Sequence, residues 1–220
     1  MRKVLTKAGW CVLFLLALLN CILAMRYLLH RVPFPAQLPN FKLHRIALTG
    51  HAAFAGIALL VGPFQFLDTF RRRWPTLHGR LGWLYIGTVA LGAAFALPLT
   101  LHAGFGPISG AGFLTLDIVW LLTTAIALRW AIKLRFDLHR RWMLRSYALA
   151  AAAISLRIML PISAVMGLSP APSYRAIAWL CWLTNLALVE TWLRLRYGTV
   201  TRVPLVHASS RAGGQPDNRS

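Results

Sequence analysis

Acidic side chains are scarce in this sequence of 220 residues. Five Asp and Glu residues stand against 24 Lys and Arg, and charged residues make up 13% of the chain, about half the share of a typical soluble domain. Hydrophobic residues make up 58% of it. This composition excludes an ordinary soluble domain and predicts a protein with several membrane-spanning segments.

The net charge of +19 raises the question of an anionic partner. A nucleic-acid-binding protein would carry its basic residues on a polar surface, whereas here they separate long uncharged apolar runs. We therefore expect no nucleic acid partner. The expected partner is a lipid bilayer that contains anionic lipids, whose headgroups attract the basic residues.

Cysteine and the common catalytic motifs are also scarce. Two of the three cysteines, Cys11 and Cys21, lie ten residues apart on one predicted helix, too far apart to form a disulfide. No Cys-x-x-Cys-His is present, so any haem would be bound non-covalently. The absence of Gly-x-Ser-x-Gly and His-Glu-x-x-His argues against common hydrolases. Enzymatic activity stays open, with a membrane oxidoreductase component as the class to consider.

Six apolar runs predict an all-α, six-helix transmembrane bundle. The run from Ala8 to Met25 is too long for the apolar part of a signal peptide and lacks a cleavage site, which indicates an uncleaved anchor. The other spans are expected between Arg45 and Asp68, from Arg80 to a Gly-rich and Pro-containing loop, and over about 111–133, 142–165 and 174–194. This pattern predicts an anchor helix and outer loop over 1–43, a core five-helix membrane domain over 44–196, and a disordered basic tail over 197–220.

The basic residues predict the orientation of these helices. With the N-terminus inside, 18 of the 24 lie in inside segments, five lie in outside segments, and Arg157 lies within a span. The positive-inside rule therefore predicts that both termini face the cytoplasm.

Several polar residues are expected at membrane depth, where each needs a partner or a function. Counted at about 1.5 Å per residue, His51, Asp117 and Arg157 lie about 9–12 Å below the outer surface. We expect an Asp117–Arg157 ion pair, which would either lock two helices together or form a polar chamber with His51. Three further intramembrane polar residues lie nearer the inner side: Gln65, Asn185 and Glu190, the last with several arginines as possible partners.

Two histidines lie at the inner ends of predicted helices: His78 begins the third helix, and His139 precedes the fifth. Residues at i+3, i+4 and i+7 share a helix face with residue i. Gly82 would leave room beside His78 for a flat group such as a porphyrin, or for another helix. The residues on the two faces are Leu81, Gly82 and Tyr85 with His78, and Trp142, Met143 and Ser146 with His139.

Several of these positions belong to strings that resemble a known family. The strings are Gly50-His51, Gly62-Pro-Phe-Gln-Phe66, Leu77-His-Gly-Arg-Leu-Gly82 with Tyr85, His139-Arg-Arg-Trp-Met-Leu-Arg-Ser-Tyr147, Leu156-Arg157, and Trp182-Leu-Thr-Asn185-Leu with Glu190. Over about 44–194 the chain resembles an uncharacterised bacterial membrane family catalogued as domain of unknown function 2306. The resemblance implies a multi-pass protein of the bacterial cytoplasmic membrane and leaves its activity undefined.

The chain is also similar in architecture to six-helix b-type cytochromes, which hold haem between histidines near each membrane face. That similarity implies haem b, with His78 and His139 as the iron ligands of an inner site. His51 would pair with His102 or His44 on the outer side. The remaining residues assigned to cofactor binding are Tyr85 and Arg145.

Three functions are consistent with these observations. The first is a membrane redox protein that uses haem, or a quinone near the inner arginines. The second is a transporter of a small solute or of protons, built around His51, Asp117 and Arg157. The third is a non-catalytic assembly or lipid-binding factor.

Overall fold

The computed structural model describes residues 7–28 and 44–198, and this part of the chain is helical without β-strands. The helices are α1 Lys7–Met25, α2 Arg45–Gln65, α3 Asp68–Arg73, α4 Pro75–Leu101, α5 Pro107–Ile132, α6 Phe136–Ala150, α7 Ala152–Val165 and α8 Pro170–Tyr197. A short 3-10 helix, Arg26–Leu28, follows α1. The predicted outer loop up to residue 43 and the predicted tail beyond Gly198 lie largely outside the described residues.

Six segments are long and apolar enough to cross a membrane: α1, α2, α4, α5, the α6–α7 pair and α8. This confirms the prediction of a six-span helical bundle. The bundle exposes apolar side chains on its outer surface, including Leu188 at 70% and Val165 at 89%. Such a surface is suited to lipid, because helices satisfy their own backbone hydrogen bonds and can leave apolar side chains facing the hydrocarbon.

Helix boundaries differ from the predictions at two kinds of position. Proline starts α4, α5 and α8, since its fixed backbone angle and missing N–H suit the first helical turn. These helices therefore begin four to five residues before the predicted runs. The predicted fifth helix is interrupted at Ala151, so that it consists of α6 and α7.

Small residues allow the closest helix contacts. α2 and α4 pack along most of their length, and Gly92 lies against the backbone of Ala55. α1 packs on α2 and contributes Ala17 to the buried core. Close approach of backbones at small residues is the usual basis of helix association in lipid, where no hydrophobic driving force acts between helices.

Gly62 on α2 illustrates this packing. A Cβ atom at this position would overlap the ring of Tyr147, and that ring is held in place because its hydroxyl donates to the Leu59 carbonyl at 3.0 Å. A side chain larger than hydrogen at Gly62 must therefore push α2 and α6 apart.

We expect Gly62→Ala to lower the free energy of unfolding in detergent by about 1–3 kcal/mol through overpacking. Gly87→Ala is the matched control, because a Cβ there meets no atom within 4 Å. Thermal unfolding of both variants checks the prediction, and equal melting temperatures for the two would contradict it.

Candidate functional site

The helices bring most of the arginines to one end of the bundle. Three helices begin at this arginine-rich end, α1, α4 and α6, and three end there, α2, α5 and α8. Neighbouring helix ends are in contact, as in the hydrogen bond from Trp10 of α1 to the Pro63 carbonyl of α2. At the opposite end His44 and His102 lie together. The arginines of the arginine-rich end are Arg71, Arg72, Arg73, Arg80, Arg129, Arg135, Arg140, Arg141, Arg145, Arg194 and Arg196.

The His78 face of α4 and the His139 face of α6 meet in the interior. The Tyr85 hydroxyl lies 2.8 Å from Ser146 Oγ, and Ser146 Oγ lies 2.7 Å from Thr124 Oγ1 on α5. Tyr85 and Ser146 each stand seven residues, or two helical turns, after the histidine of their helix. The two histidines therefore lie on converging faces, above a buried network of hydroxyl groups.

The backbones of α4 and α6 are not closely packed, because α5 lies against both of them. Tyr85 crosses the gap between α4 and α6 to reach Ser146. One turn nearer the histidines, Gly82 has no side chain, and a Cβ there would meet only Gln65 Oε1 at 3.6 Å. Gly82 therefore presents no side chain between the levels of Tyr85 and His78, and it faces Gln65 of α2.

His139 is oriented by the backbone of α5. Its Nδ1 lies 2.8 Å from the Ala127 carbonyl oxygen, which can only accept, so the ring carries a proton on Nδ1. In the neutral ring Nε2 then keeps its lone pair, which is the arrangement typical of histidine ligands to metals. His78 is half-buried and lies within electrostatic range of His139 and Arg71.

Three buried nitrogen atoms at this end have no hydrogen-bond partner within the described part of the chain: His78 Nδ1, Gln65 Nε2 and Arg141 Nε. An unsatisfied buried polar atom costs about 1–3 kcal/mol. Gln65 lies beside Gly82 of α4, whereas the Arg141 guanidinium packs over the Tyr197 ring, so the three atoms belong to different surroundings at this end of the bundle.

Ion pairs fix the arginines around this site. Asp68 contacts Arg71 at 3.0 Å and Arg140 at 3.6 Å, which ties α3 to α6. Glu190 on α8 accepts two hydrogen bonds from Arg145, one of them at 3.0 Å from Nη2. Arg145, predicted to bind a cofactor, is thus engaged with Glu190 and also lies over the Trp142 ring.

The outer histidines are placed by different contacts. His51 Nδ1 lies 2.9 Å from the Gly92 carbonyl oxygen on α4, while the rings of His44 and His102 lie with centroids 4.5 Å apart at a tilt of 37°. His51 lies two turns into α2, whereas His44 and His102 cap the ends of α2 and α4, and the pairing of His51 with either of them stays a prediction.

The expected Asp117–Arg157 ion pair is wrong. α5, which carries Asp117, packs on α6 and α8, whereas Arg157 lies on α7 and donates to Asn20 Oδ1 on α1 at 3.2 Å. Asp117 is buried, and its Oδ2 has no hydrogen-bond partner among residues 7–28 and 44–198. The prediction failed because it treated the fifth span as one straight helix alongside the fourth.

Asn185 has a role that the sequence did not reveal. Its Nδ2 donates to the Ala148 carbonyl of α6 at 3.2 Å, and its Oδ1 accepts from Ser155 Oγ of α7 at 2.9 Å. One side chain on α8 therefore spans the break at Ala151 and satisfies a polar group on each side of it. Partners of this kind allow a helix break inside a membrane protein.

Removing this bridge should destabilise the bundle. We expect Asn185→Ala to lower the free energy of unfolding in detergent by about 1–3 kcal/mol, because it leaves buried polar groups unsatisfied. Thr184→Ala is the control, since Thr184 is exposed and its hydroxyl bonds only to Leu180 of its own helix. A loss no larger than that of the control would contradict the role given to Asn185.

Comparison with known proteins identifies the family. No curated protein and no solved structure matches the chain. A family model described as predicted membrane protein (DUF2306) matches residues 48–193, a range that includes His51, His78, His139 and Glu190. Because this match extends over well over half of the chain, the protein belongs to the DUF2306 family of predicted membrane proteins.

Proposed function

We propose that this integral membrane protein is a redox protein that binds a non-covalent b-type haem between His78 and His139. The observation that carries the proposal is the Tyr85–Ser146 contact of 2.8 Å, since it brings the two histidine-bearing faces together. Two imidazoles on facing helices are the ligand set that b-type haem requires within a helical bundle.

The chemistry of the two rings supports this assignment. The Ala127 carbonyl fixes the orientation of His139 and leaves its Nε2 available as a ligand. His78 has a buried Nδ1 without a partner in the described chain, and one turn further along α4 Gly82 presents no side chain. Haem bound there would supply a one-electron couple.

The charges around the histidines also suit haem. Haem carries two anionic propionates, and this end of the bundle has a large excess of arginine. Arg141, which packs over the Tyr197 ring and whose buried Nε has no hydrogen-bond partner among the described residues, is the residue assigned to a propionate, while Arg140 beside it is already engaged with Asp68. Tyr85, Ser146 and Thr124 form the floor of the site and keep the two helices in register.

The proposed haem gives a visible spectrum that can be measured directly. Purified protein should show a reduced-minus-oxidised haem spectrum with dithionite, and His78→Ala and His139→Ala should each remove the six-coordinate signal. His102→Ala should retain it, because His102 lies on the same helix as His78 but at its far end. Binding is measured by titration with haemin, with size-exclusion chromatography as a check on folding.

One further variant separates ligation from folding. His139→Gly leaves a space that free imidazole can fill, so added imidazole should restore the six-coordinate spectrum. A wild-type protein that is colourless and takes up no haemin would overturn the proposal.

We also propose that the arginine-rich end faces the cytoplasm of a bacterial inner membrane. The support is the asymmetry of the basic residues, 18 of which lie in segments assigned to that side. Alkaline phosphatase fused after Gly198 should be inactive in a bacterial host, whereas the same reporter fused after Ala103 should be active. The reverse pattern would invert the orientation.

A further inference from the structure

Arg157 is a cation within the fifth span whose bonded partners are neutral. Its Nη1 donates to Asn20 Oδ1 at 3.2 Å and to the Ala153 carbonyl at 3.2 Å. Nη2 and Nε make no hydrogen bond within the part of the chain that the structure describes. An arginine at membrane depth is costly, and it is normally accompanied by a counter-ion or by water.

The chain has almost no acid that could supply this counter-ion. Residues 1–67, which include α1 and α2, contain no Asp or Glu at all. Asp68, Asp137 and Glu190 form ion pairs at the arginine-rich end. Asp117 lies on α5, which does not pack on α7, and Asp217 lies outside the described residues.

Two neighbouring groups that follow α1 act on Arg157 in opposite directions: the Tyr27 phenol favours its positive charge, whereas Arg26 opposes it. His51, on α2, also lies within electrostatic range of Arg157. Asn20 is 5% exposed and its Nδ2 donates to the Leu16 carbonyl, so only its oxygen faces the guanidinium. Among residues 7–28 and 44–198, no carboxylate accompanies Arg157 in the region between α1, α2 and α7.

The direction of the side chain makes a contact with surface phosphates difficult. Helical side chains lean toward the N-terminus of their helix, and the bond to Ala153, one turn earlier, shows that Arg157 does so. For α7 this direction leads toward the break at Ala151 and away from the end of the helix at Val165. Val165 lies eight residues later, or about 12 Å by helical rise.

We infer that Arg157 and Asn20 form a binding site for a small oxyanion, a carboxylate or a phosphate group. Nη2 and Nε can donate two parallel hydrogen bonds to such a group, the geometry in which arginine binds oxyanions best. Arg26 at the mouth of this region would attract the anion. The site is independent of His78 and His139, which lie at the other end of the bundle.

The inference is tested by measuring oxyanion binding in lipid-free detergent micelles. Phosphate, acetate and succinate are compared with chloride at equal ionic strength, using the melting temperature and calorimetric titration. At least one oxyanion should bind the wild type, and Arg157→Gln should weaken that binding by about tenfold or more, since a charge-assisted hydrogen bond is lost. Arg157→Lys, which keeps the charge but loses the two parallel N–H donors of the guanidinium, should weaken oxyanion binding less than Arg157→Gln.

Two control variants test whether the binding is specific to Arg157 and whether the protein supplies its own counter-ion. Arg175→Gln removes an exposed arginine that donates to the Phe105 carbonyl, and it should leave binding unchanged. Asp217→Asn should also leave oxyanion binding unchanged. If binding were seen only in the Asp217→Asn variant, Asp217 would be the counter-ion of Arg157 in the wild type, and the inference would fail.

A final arm distinguishes the source of the anion. The wild type and Arg157→Gln are compared in nanodiscs of phosphatidylcholine with and without phosphatidylglycerol. Stabilisation by phosphatidylglycerol that depends on Arg157 would assign the site to a lipid phosphate, whereas binding already present in micelles assigns it to a soluble anion. If the two variants respond alike to every anion and lipid, Asn20 alone satisfies Arg157 and the inference is overturned.

Discussion

Tyr85, Ser146 and Thr124 form two short hydrogen bonds that join α4, α6 and α5 in the buried interior. In a lipid environment apolar packing between helices gains little over packing against lipid, so buried hydroxyl pairs and close contacts of small residues determine which faces meet. This chain of hydroxyls sets the register of α4 against α6. The positions of His78 and His139 follow from that register.

The lengths of the apolar runs were enough to predict the spans, because each segment must cross about 30 Å of hydrocarbon. The strings around His78 and His139 were also enough to predict two shared faces, since helical spacing places i and i+7 on one side. Thr124, which completes the hydroxyl chain, was missed because a threonine in an apolar helix ordinarily bonds to its own backbone. It does so here as well, through the Trp120 carbonyl.

The failure of the Asp117–Arg157 prediction has a structural cause. The break at Ala151 lies in a run of alanines, with neither glycine nor proline to indicate it. Its polar groups bond to Asn185, which is distant in sequence, and no local propensity reveals such a partner. Because the fifth span is divided at Ala151, α7 does not pack along α5, and Asp117 and Arg157 therefore do not form an ion pair. The partner of Glu190 was likewise open from sequence, because only the packing of α6 on α8 selects Arg145.

The broken fifth span also constrains how the protein enters a membrane. α6 has 15 residues and α7 has 14, each about 22 Å long by helical rise and so shorter than the hydrocarbon core. α6 also carries Arg140, Arg141 and Arg145, which oppose insertion of that half alone. Neither half is a transmembrane segment by itself. The two halves therefore cross the membrane only as one combined span, and the hydrogen bonds of Asn185 tie the junction inside that span to the helix that follows it.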